Sequence, residues 1–212
     1  TGWSYFNLAR IQDEDKKDTL AIENYKKAIP YFEKGTDAKG LSYCINNLAS
    51  IYSKQYQYAE AQHTFEKALD IRIKVLKTDT SDEQKNLVAR AYWGVGDAFY
   101  NQSKYKEAIE QYTKGAALIE NARLLDCRIL TAHLYRWIGK SHEKMANYLE
   151  AANFYQKEYS ARVLLGDVDA QADALDNQGL LFSKLGKYRE AHDKFNLGYQ
   201  HHLKIQDKNG AG

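Results

Sequence analysis

The sequence predicts an all-α protein made of about five stacked helical hairpins. Three observations support this prediction. The 212 residues contain a single proline and many alanine, leucine, lysine and glutamate residues, a composition that favours helix. A motif of one tyrosine, one alanine and a second aromatic residue recurs along the chain, and a second, apolar motif precedes each copy. Because both motifs recur together, they indicate a repeat architecture rather than a single globular core.

The first motif reads Tyr, two residues, Ala, three residues, aromatic. Offsets of three and four place these side chains on one face of a helix. The copies are Tyr58-Ala61-Phe65, Tyr105-Ala108-Tyr112, Tyr148-Ala151-Tyr155 and Tyr188-Ala191-Phe195, with a weaker copy, Ala21 and Tyr25, near the start. The alanines at 21, 61, 108, 151 and 191 are therefore 40, 47, 43 and 40 residues apart.

The second motif starts 13 residues before each of these alanines and pairs a large residue with a small one, followed three residues later by an aromatic side chain. Its copies are Leu48-Ala49-Tyr52, Val95-Gly96-Phe99, Ile138-Gly139-His142 and, in looser form, Leu8-Ala9-Gln12 and Gln178-Gly179-Phe182. Each unit therefore holds two amphipathic helices, A and B, whose small residues let the backbones approach closely. One hairpin cannot bury its apolar face alone, so the next hairpin must complete the core.

Together the two motifs resemble the signature of the tetratricopeptide repeat. The best match runs from Leu175 to Phe195 and includes Gly179, Phe182, Gly186, Tyr188 and Ala191. The period exceeds the family's usual length of about 34 residues. It is similar to that of the long-period branch found in kinesin light chains, polarity adaptors, peptide-pheromone receptors and bacterial regulator proteins. The resemblance implies a right-handed α-solenoid, with one array over 1–212 and repeats near 1–36, 41–77, 86–121, 128–165 and 171–206.

The last residues, 207–212, look like the start of a further linker. Asp37, Asp167 and Asp207 each lie 12 residues after the aromatic residue of a B helix. In the two earlier cases another A helix follows, so we expect the array to be truncated at its C-terminus. The linkers 35–40 and 166–169 resemble those of bacterial signalling proteins, which implies a domain of a larger signalling protein.

Charge and hydropathy argue against two classes of partner. The 30 basic and 28 acidic residues give a net charge of +2, without the basic stripe of a nucleic-acid-binding protein. No apolar run approaches the roughly 18 residues of a membrane span. Cys44 and Cys127 stand outside any CxxC pair, so we expect two buried thiols. We predict a cytoplasmic location, and so few cysteines are also compatible with a periplasmic one.

Catalytic and cofactor-binding motifs are absent from the sequence. It contains no GxGxxG, P-loop, HExxH or GxSxG pattern. His133 and His142 are nine residues apart on one predicted helix, and the adjacent His201 and His202 point to different faces, so neither pair can easily share a metal ion. His142 takes an aromatic position of the second motif, where packing is its expected role. We predict a protein without enzymatic activity, cofactor or metal.

The resemblance implies that the A helices line a ligand-binding groove. The expected groove residues are Phe6 and Arg10; Asn46, Asn47 and Ser50; Arg90, Trp93 and Asp97; His133, Arg136, Lys140 and Glu143; and Asp176, Asn177 and Leu180, in order of the five repeats. Chaperone-binding members of the family carry Lys and Asn where this chain has Phe6 and Arg10. A chaperone C-terminal tail is therefore not the predicted ligand.

Two features of this set suggest a protein or peptide ligand. Asn47 and Asn177 occupy the same place in two repeats, and an amide can pair with a peptide backbone. The set also contains cations beside tryptophans: Arg90, Arg136 and Lys140, accompanied by Trp93 and Trp137. Such cations can bind carboxylates, and the indole rings supply apolar contact area. The alternatives are asparagines that bond only to water or a neighbouring turn, and a solvated, salt-bridged face with tryptophan in the core.

The leading hypothesis is therefore a scaffold that binds a protein or peptide, as the sensing or docking domain of a larger bacterial signalling protein. One alternative is self-association through the last helix, which carries Phe195, Tyr199 and Leu203. Another is regulation of an enzyme located elsewhere in the parent chain.

Overall fold

A computed structural model describes residues 1–210, with side chains to Leu203. Over this range the chain is helical throughout, and the predicted all-α repeat fold is confirmed. The helices are α1 (Gly2–Glu14), α2 (Asp18–Lys34), α3 (Ala38–Lys54), α4 (Tyr58–Leu76), α5 (Asp82–Asn101), α6 (Tyr105–Ile119), α7 (Leu125–Lys144), α8 (Tyr148–Leu165), α9 (Val168–Lys184) and α10 (Tyr188–Gly210). Odd-numbered helices are the predicted A helices and even-numbered helices are the B helices.

The helices group into two compact units, Thr1–Gln111 and Tyr112–Gly212. In the first unit each helix from α1 to α5 packs on the next, and the A helix α3 also touches both α1 and α5. In the second unit α8 packs on α7 and α9, and α9 packs on α10. The motif thus produces the same nearest-neighbour packing in both units.

The small residues of both motifs lie where the sequence pattern places them, in the core. The motif alanines of the B helices are at most 4% exposed, and the small residues of the A helices are buried. The aromatic side chain one turn further along each B helix fills the space beside them. Tyr25, Phe65, Tyr112 and Tyr155 are all buried, whereas Phe195 on α10 is 37% exposed. Each fully buried ring of this kind contributes about 1.5–3 kcal/mol.

Four A helices, α3, α5, α7 and α9, begin three or four residues before the repeat starts expected from the sequence. α5 begins at Asp82 and α9 at Val168, three or four residues before the predicted repeats at 86 and 171. Ser81 and Asp167 accept hydrogen bonds from the first turns of these helices and so set their starts. α10 runs to Gly210, so helix covers 207–210, where the spacing predicts a linker. Residues 211–212 lie outside the described part of the chain.

The turn within every hairpin uses one residue in the left-handed backbone region. This residue lies two positions before the B helix and has φ between 58° and 72°: Lys16, Tyr56, Ser103, Ala146 and Gly186. The amide that follows donates to the carbonyl oxygen five residues earlier, as Asn147 does to His142 at 2.9 Å. This bond is the mark of a Schellman turn, which normally takes glycine. Four of the five turns therefore hold a non-glycine residue in a strained conformation.

We expect Ala146→Gly to stabilise the second unit by about 0.5–1 kcal/mol. Glycine removes a left-handed strain of about 1–2 kcal/mol, although it also costs conformational entropy in the unfolded chain. Urea denaturation followed by circular dichroism measures the difference. Ala117→Gly, at an exposed position inside α6, should instead destabilise the protein by about 1 kcal/mol. Equal destabilisation by both changes would show that the Ala146 turn is not strained.

Candidate functional site

Five of the eight predicted groove residues of the first unit line one cleft. Asn46 and Ser50 come from α3, and Arg90, Trp93 and Asp97 come from α5. Together with Phe65 and Gly94 they line a cleft of about 180 Å³, called the α3–α5 cleft below. The sequence analysis named four polar residues and Trp93 of this lining as groove residues. It did not name Phe65 or Gly94.

Helical spacing explains how the walls of the cleft form. Asn46 and Ser50 are one turn apart on α3, and Arg90, Trp93 and Asp97 follow offsets of three and four on α5. Phe65 reaches the cleft from the B helix α4. A Cβ atom on Gly94 would lie 2.6 Å from Cδ1 of Phe65, so only glycine lets this buried ring lie against the α5 backbone.

The cleft holds a buried donor without an acceptor. Nε1 of Trp93 is withdrawn from solvent and has no hydrogen-bond partner among the described residues. A buried N–H group in this state costs about 1–3 kcal/mol relative to a bonded one.

The same cleft holds a carboxylate that burial has perturbed. Burial raises the pKa of Asp97, although a hydrogen bond from Nδ2 of Asn101 to Oδ2 at 3.3 Å partly offsets the effect. At the rim, Nε of Arg90 donates to Oδ1 of Asn86 at 2.8 Å, and the Arg90 side chain is exposed. The residues that line the cleft therefore include an indole whose buried N–H group has no partner among the described residues, a carboxylate that a bound cation would stabilise, and an exposed guanidinium.

The other predicted residues of the first unit lie outside this cleft. Phe6 is only 9% exposed and packs in the core, with its ring centroid 5.8 Å from that of Tyr25. Nδ2 of Asn47 donates to the Tyr25 hydroxyl at 3.1 Å, which joins α3 to α2. Arg10 is exposed and pairs with Glu14 one turn away at 3.3 Å. Phe6 and Asn47 thus serve the packing of the hairpins.

In the second unit, Arg136 belongs to a buried charge network. Its Nε donates to Oε1 of Glu158 at 2.6 Å, and its Nη2 lies 3.4 Å from Asp173 on α9. Glu158 is fully buried and also lies 3.7 Å from Nε of Arg162. Nη1 of Arg162 donates at 2.9 Å to Asp167, the residue that caps α9. This Glu158 network joins α7, α8 and α9.

Burial is the largest influence on Glu158. It raises the pKa of the carboxyl group, while the hydrogen bond and charge of Arg136 and the charge of Arg162 act in the opposite direction. Sequence reasoning missed this network. Its one signal was the spacing of Glu158 and Arg162, four residues apart on a B helix whose face is otherwise apolar.

The remaining predicted residues of the second unit are mostly engaged with neighbouring helices. His133 Nδ1 lies 3.3 Å from Nη2 of Arg162. Lys140 lies 4.6 Å from the centre of the Trp137 ring, a cation–π contact. Glu143 accepts hydrogen bonds from Lys184 at 2.7 Å and from the Tyr155 hydroxyl at 3.3 Å. Asp176 pairs with His202 at 3.3 Å, whereas Asn177 is partly exposed on the same helix.

The structure shows the surroundings of the cysteines and of His142, for which the sequence predicted buried thiols and a packing role. Cys44 and Cys127 are both buried thiols, as predicted, and burial raises the pKa of Cys44 to about 12. His142 stacks on Phe154 with centroids 5.6 Å apart, in agreement with its predicted packing role. Among the side chains described, which run to Leu203, His, Cys, Asp and Glu form no group of three that could hold a metal ion. No described helix has the length and apolar character needed to cross a bilayer.

Comparison with known proteins agrees with this architecture. Family models described as tetratricopeptide repeat match residues 4–34 and 41–121. The protein ycf37 of Cyanophora paradoxa is 31% identical over 164 residues, which cover 77% of this chain and 85% of that protein. The crystal structure of apo RapI superposes with a TM-score of 0.83 at 17% identity, over 96% of this chain and 54% of RapI. A kinesin-light-chain-like protein of Podosopora anserina gives a TM-score of 0.74 at 14% identity, over 96% and 95% of the two chains.

We expect Arg136→Met to destabilise the second unit by about 3 kcal/mol, because it removes the closest partner of a buried carboxylate. The raised pKa of Glu158 sets the pH dependence. Because Arg136 lowers this pKa, its removal raises the pKa further, and a native state that prefers the protonated form loses stability as pH rises through it. The deficit of the variant relative to wild type should therefore grow as pH rises. Denaturant unfolding at several pH values measures both effects.

Two further variants complete this test. Arg10→Met removes an exposed pair and should change stability by less than about 0.5 kcal/mol. The double variant Arg136→Met/Glu158→Met should recover part of the loss, since no carboxylate then remains buried without its main partner. A double variant that is less stable than Arg136→Met alone would contradict this account of the network.

Proposed function

Since the chain belongs to the tetratricopeptide-repeat family, we propose that it is a non-enzymatic scaffold that holds an extended peptide segment of another protein in the α3–α5 cleft. Helical repeats of this kind present long surfaces suited to such binding. The observation that carries the proposal is a cleft between two A helices that is lined by Asp97 and by Trp93, whose N–H group is buried and has no partner among the described residues.

The chemistry of the cleft describes the segment that would fit it. A main-chain carbonyl oxygen of the ligand accepts from Trp93 Nε1, which satisfies a donor that is otherwise buried without a partner. A lysine or arginine side chain pairs with Asp97, because a nearby cation favours the charged form of a buried carboxylate. Arg90 at the rim is placed to contact an acidic residue of the same segment. The proposed ligand is thus an extended peptide with a basic anchor residue.

The second unit contributes less to this proposal than its sequence indicated. Arg136 holds the buried Glu158, so its replacement would alter folding as well as binding. Lys140 is not part of the Glu158 network. It occupies the position of its A helix that corresponds to Ser50 and Asp97. Lys140→Glu is therefore the cleaner change for testing whether the proposed surface extends into this unit.

We expect Trp93→Phe and Asp97→Asn each to weaken binding of a basic peptide by about five- to tenfold or more. Peptides are first selected from a displayed random library on the wild-type protein, and affinities are then measured by fluorescence anisotropy. Trp93→Phe removes the N–H group but keeps an aromatic ring. Asp97→Asn removes the charge but keeps the shape, and it should also abolish any weakening of binding at mildly acidic pH.

The control for these variants is Asp70→Asn, which removes an exposed carboxylate from the B helix α4. It should leave the affinity unchanged, and circular dichroism should show intact helices in every variant. Selected peptides that bind equally well to wild type and to both cleft variants would overturn the proposal.

Exposed apolar residues favour self-association as a second candidate function. On α10, Phe195, Tyr199 and Leu203 are 37%, 60% and 39% exposed, although they occupy offsets of four that would form one face. We expect a second copy of the chain to cover this face. Sedimentation equilibrium should show a dimer that Tyr199→Lys dissociates; a monomer at all accessible concentrations would eliminate this candidate.

The wider setting that we propose is a sensing or docking domain within a larger signalling protein. Its support is the resemblance of the linkers at 35–40 and 166–169 to those of bacterial signalling proteins. The full-length reading frame tests it directly, because a signalling domain on the same chain is required.

A further inference from the structure

A second cavity in the first unit lies at a different place from the α3–α5 cleft. It has a volume of about 250 Å³ and lies between the first turn of α3, the last turns of α4 and the first turns of α5. We call it the Arg72 pocket. Its walls are Ala38, Lys39, Ser42, Arg72, Val75, Asp79, Glu83, Gln84 and Leu87.

Arg72 is buried in this pocket without an acidic partner. It is 3% exposed, and its Nη1 donates to the main-chain oxygen of Leu87 at 2.7 Å. Its Nε is buried and has no hydrogen-bond partner within the described part of the chain, which also places no carboxylate within 4.0 Å of the guanidinium. Burial lowers the pKa of Arg72 to about 10, so the side chain remains charged at neutral pH.

In the second unit, an arginine at the equivalent position has carboxylates beside it. Arg72 and Arg162 each stand 14 residues after the tyrosine that begins their B helix. Arg162 lies beside Glu158, four residues earlier, and donates to Asp167. At the position equivalent to Glu158 the first unit has Ala68, and the ring nearest the Arg72 guanidinium is Tyr43, at 5.7 Å.

A buried arginine normally has its charge neutralised, because an unpaired buried ion is costly. We infer that the Arg72 pocket binds the carboxylate of a ligand, and that this carboxylate takes the place that Glu158 fills in the second unit. The guanidinium fork suits a carboxylate, since it can donate two parallel hydrogen bonds.

The walls of the pocket narrow the class of carboxylate. Ala38, Val75 and Leu87 supply apolar contact for a short aliphatic body. Asp79 and Glu83 offset the positive charges of Lys39 and Arg72 in the lining, so the pocket suits a ligand with a single negative charge better than phosphate or a dicarboxylate. The ligand class is therefore an aliphatic monocarboxylate, either a free acid or the C-terminal residue of a peptide.

Titration with isovalerate tests this inference on the intact chain. The readout is the ¹⁵N resonance of the Arg72 Nε–Hε group, assigned by its loss in Arg72→Lys. Isovalerate should shift this resonance saturably, and the neutral isostere isovaleramide should not. Phosphate should bind more weakly than isovalerate. No shift with isovalerate, or an equal response to the amide or to phosphate, would overturn the inference.

Two variants separate ligand binding from folding. Arg72→Lys keeps the charge but loses the fork, and it should weaken isovalerate binding by about tenfold or more. Ala68→Glu provides the internal carboxylate that the second unit has, and it should abolish binding with Arg72 still present. Unchanged affinity in a folded form of either variant would overturn the inference. If neither variant folds, the wild-type titration decides.

A peptide ending in valine distinguishes the two sources of the carboxylate. Tighter binding of this peptide than of isovalerate, lost on C-terminal amidation, identifies a chain end as the ligand. Binding of isovalerate alone identifies a free acid. The ligands and variants used here differ from those that test the α3–α5 cleft, so failure of the peptide proposal for that cleft and failure of this one are distinguishable.

Discussion

The distance between paired helix backbones governs both units of this protein. Alanine at one position of each B helix and alanine or glycine at one position of each A helix permit the close approach. An aromatic ring then fills the space that the missing side chains leave. Gly179 shows the constraint at its motif position, because one added carbon would lie 2.7 Å from the Phe195 ring. Gly94, two positions before the motif glycine of α5, is constrained in the same way, since a Cβ atom there would lie 2.6 Å from the Phe65 ring. The α3–α5 cleft depends on this contact, since Phe65 is part of its wall.

The sequence predicted the helical hairpins well, because a repeat presents the same constraint five times. Spacing identified the buried alanines. The groove positions came from the resemblance to the repeat family, and five of the eight that it implied in the first unit line the cleft, whereas Gly94 was not among them. Helical periodicity determines which face of a helix a residue occupies, and this information was sufficient for residues one turn apart on the same face. Helix starts were less accurate, since they depend on single capping residues such as Ser81 and Asp167.

Partners of polar side chains could not be predicted in the same way. Asn47 and Arg136 both lie on A helices at predicted groove positions, yet each bonds to a residue 22 positions away. The periodic pattern does not record whether the facing B helix carries a tyrosine hydroxyl, a glutamate or an alanine. Ala68 and Glu158 occupy the same position of two hairpins. Arg162 therefore has a carboxylate beside it, whereas Arg72 has no acidic partner among the described residues. The hydrogen-bond and ion-pair partners of polar residues therefore differ between the hairpins at a few positions, while the packing pattern stays the same.

The left-handed turns have a consequence for the order of folding. A turn that holds lysine, tyrosine, serine or alanine at positive φ is unfavourable as an isolated segment, so it cannot bring two helices together by itself. The apolar faces of the helices must associate first and then impose the turn geometry. Substitutions in these turns should therefore alter the rate of unfolding far more than the rate of folding, and kinetic lifetime can be tuned there without change to the packed core.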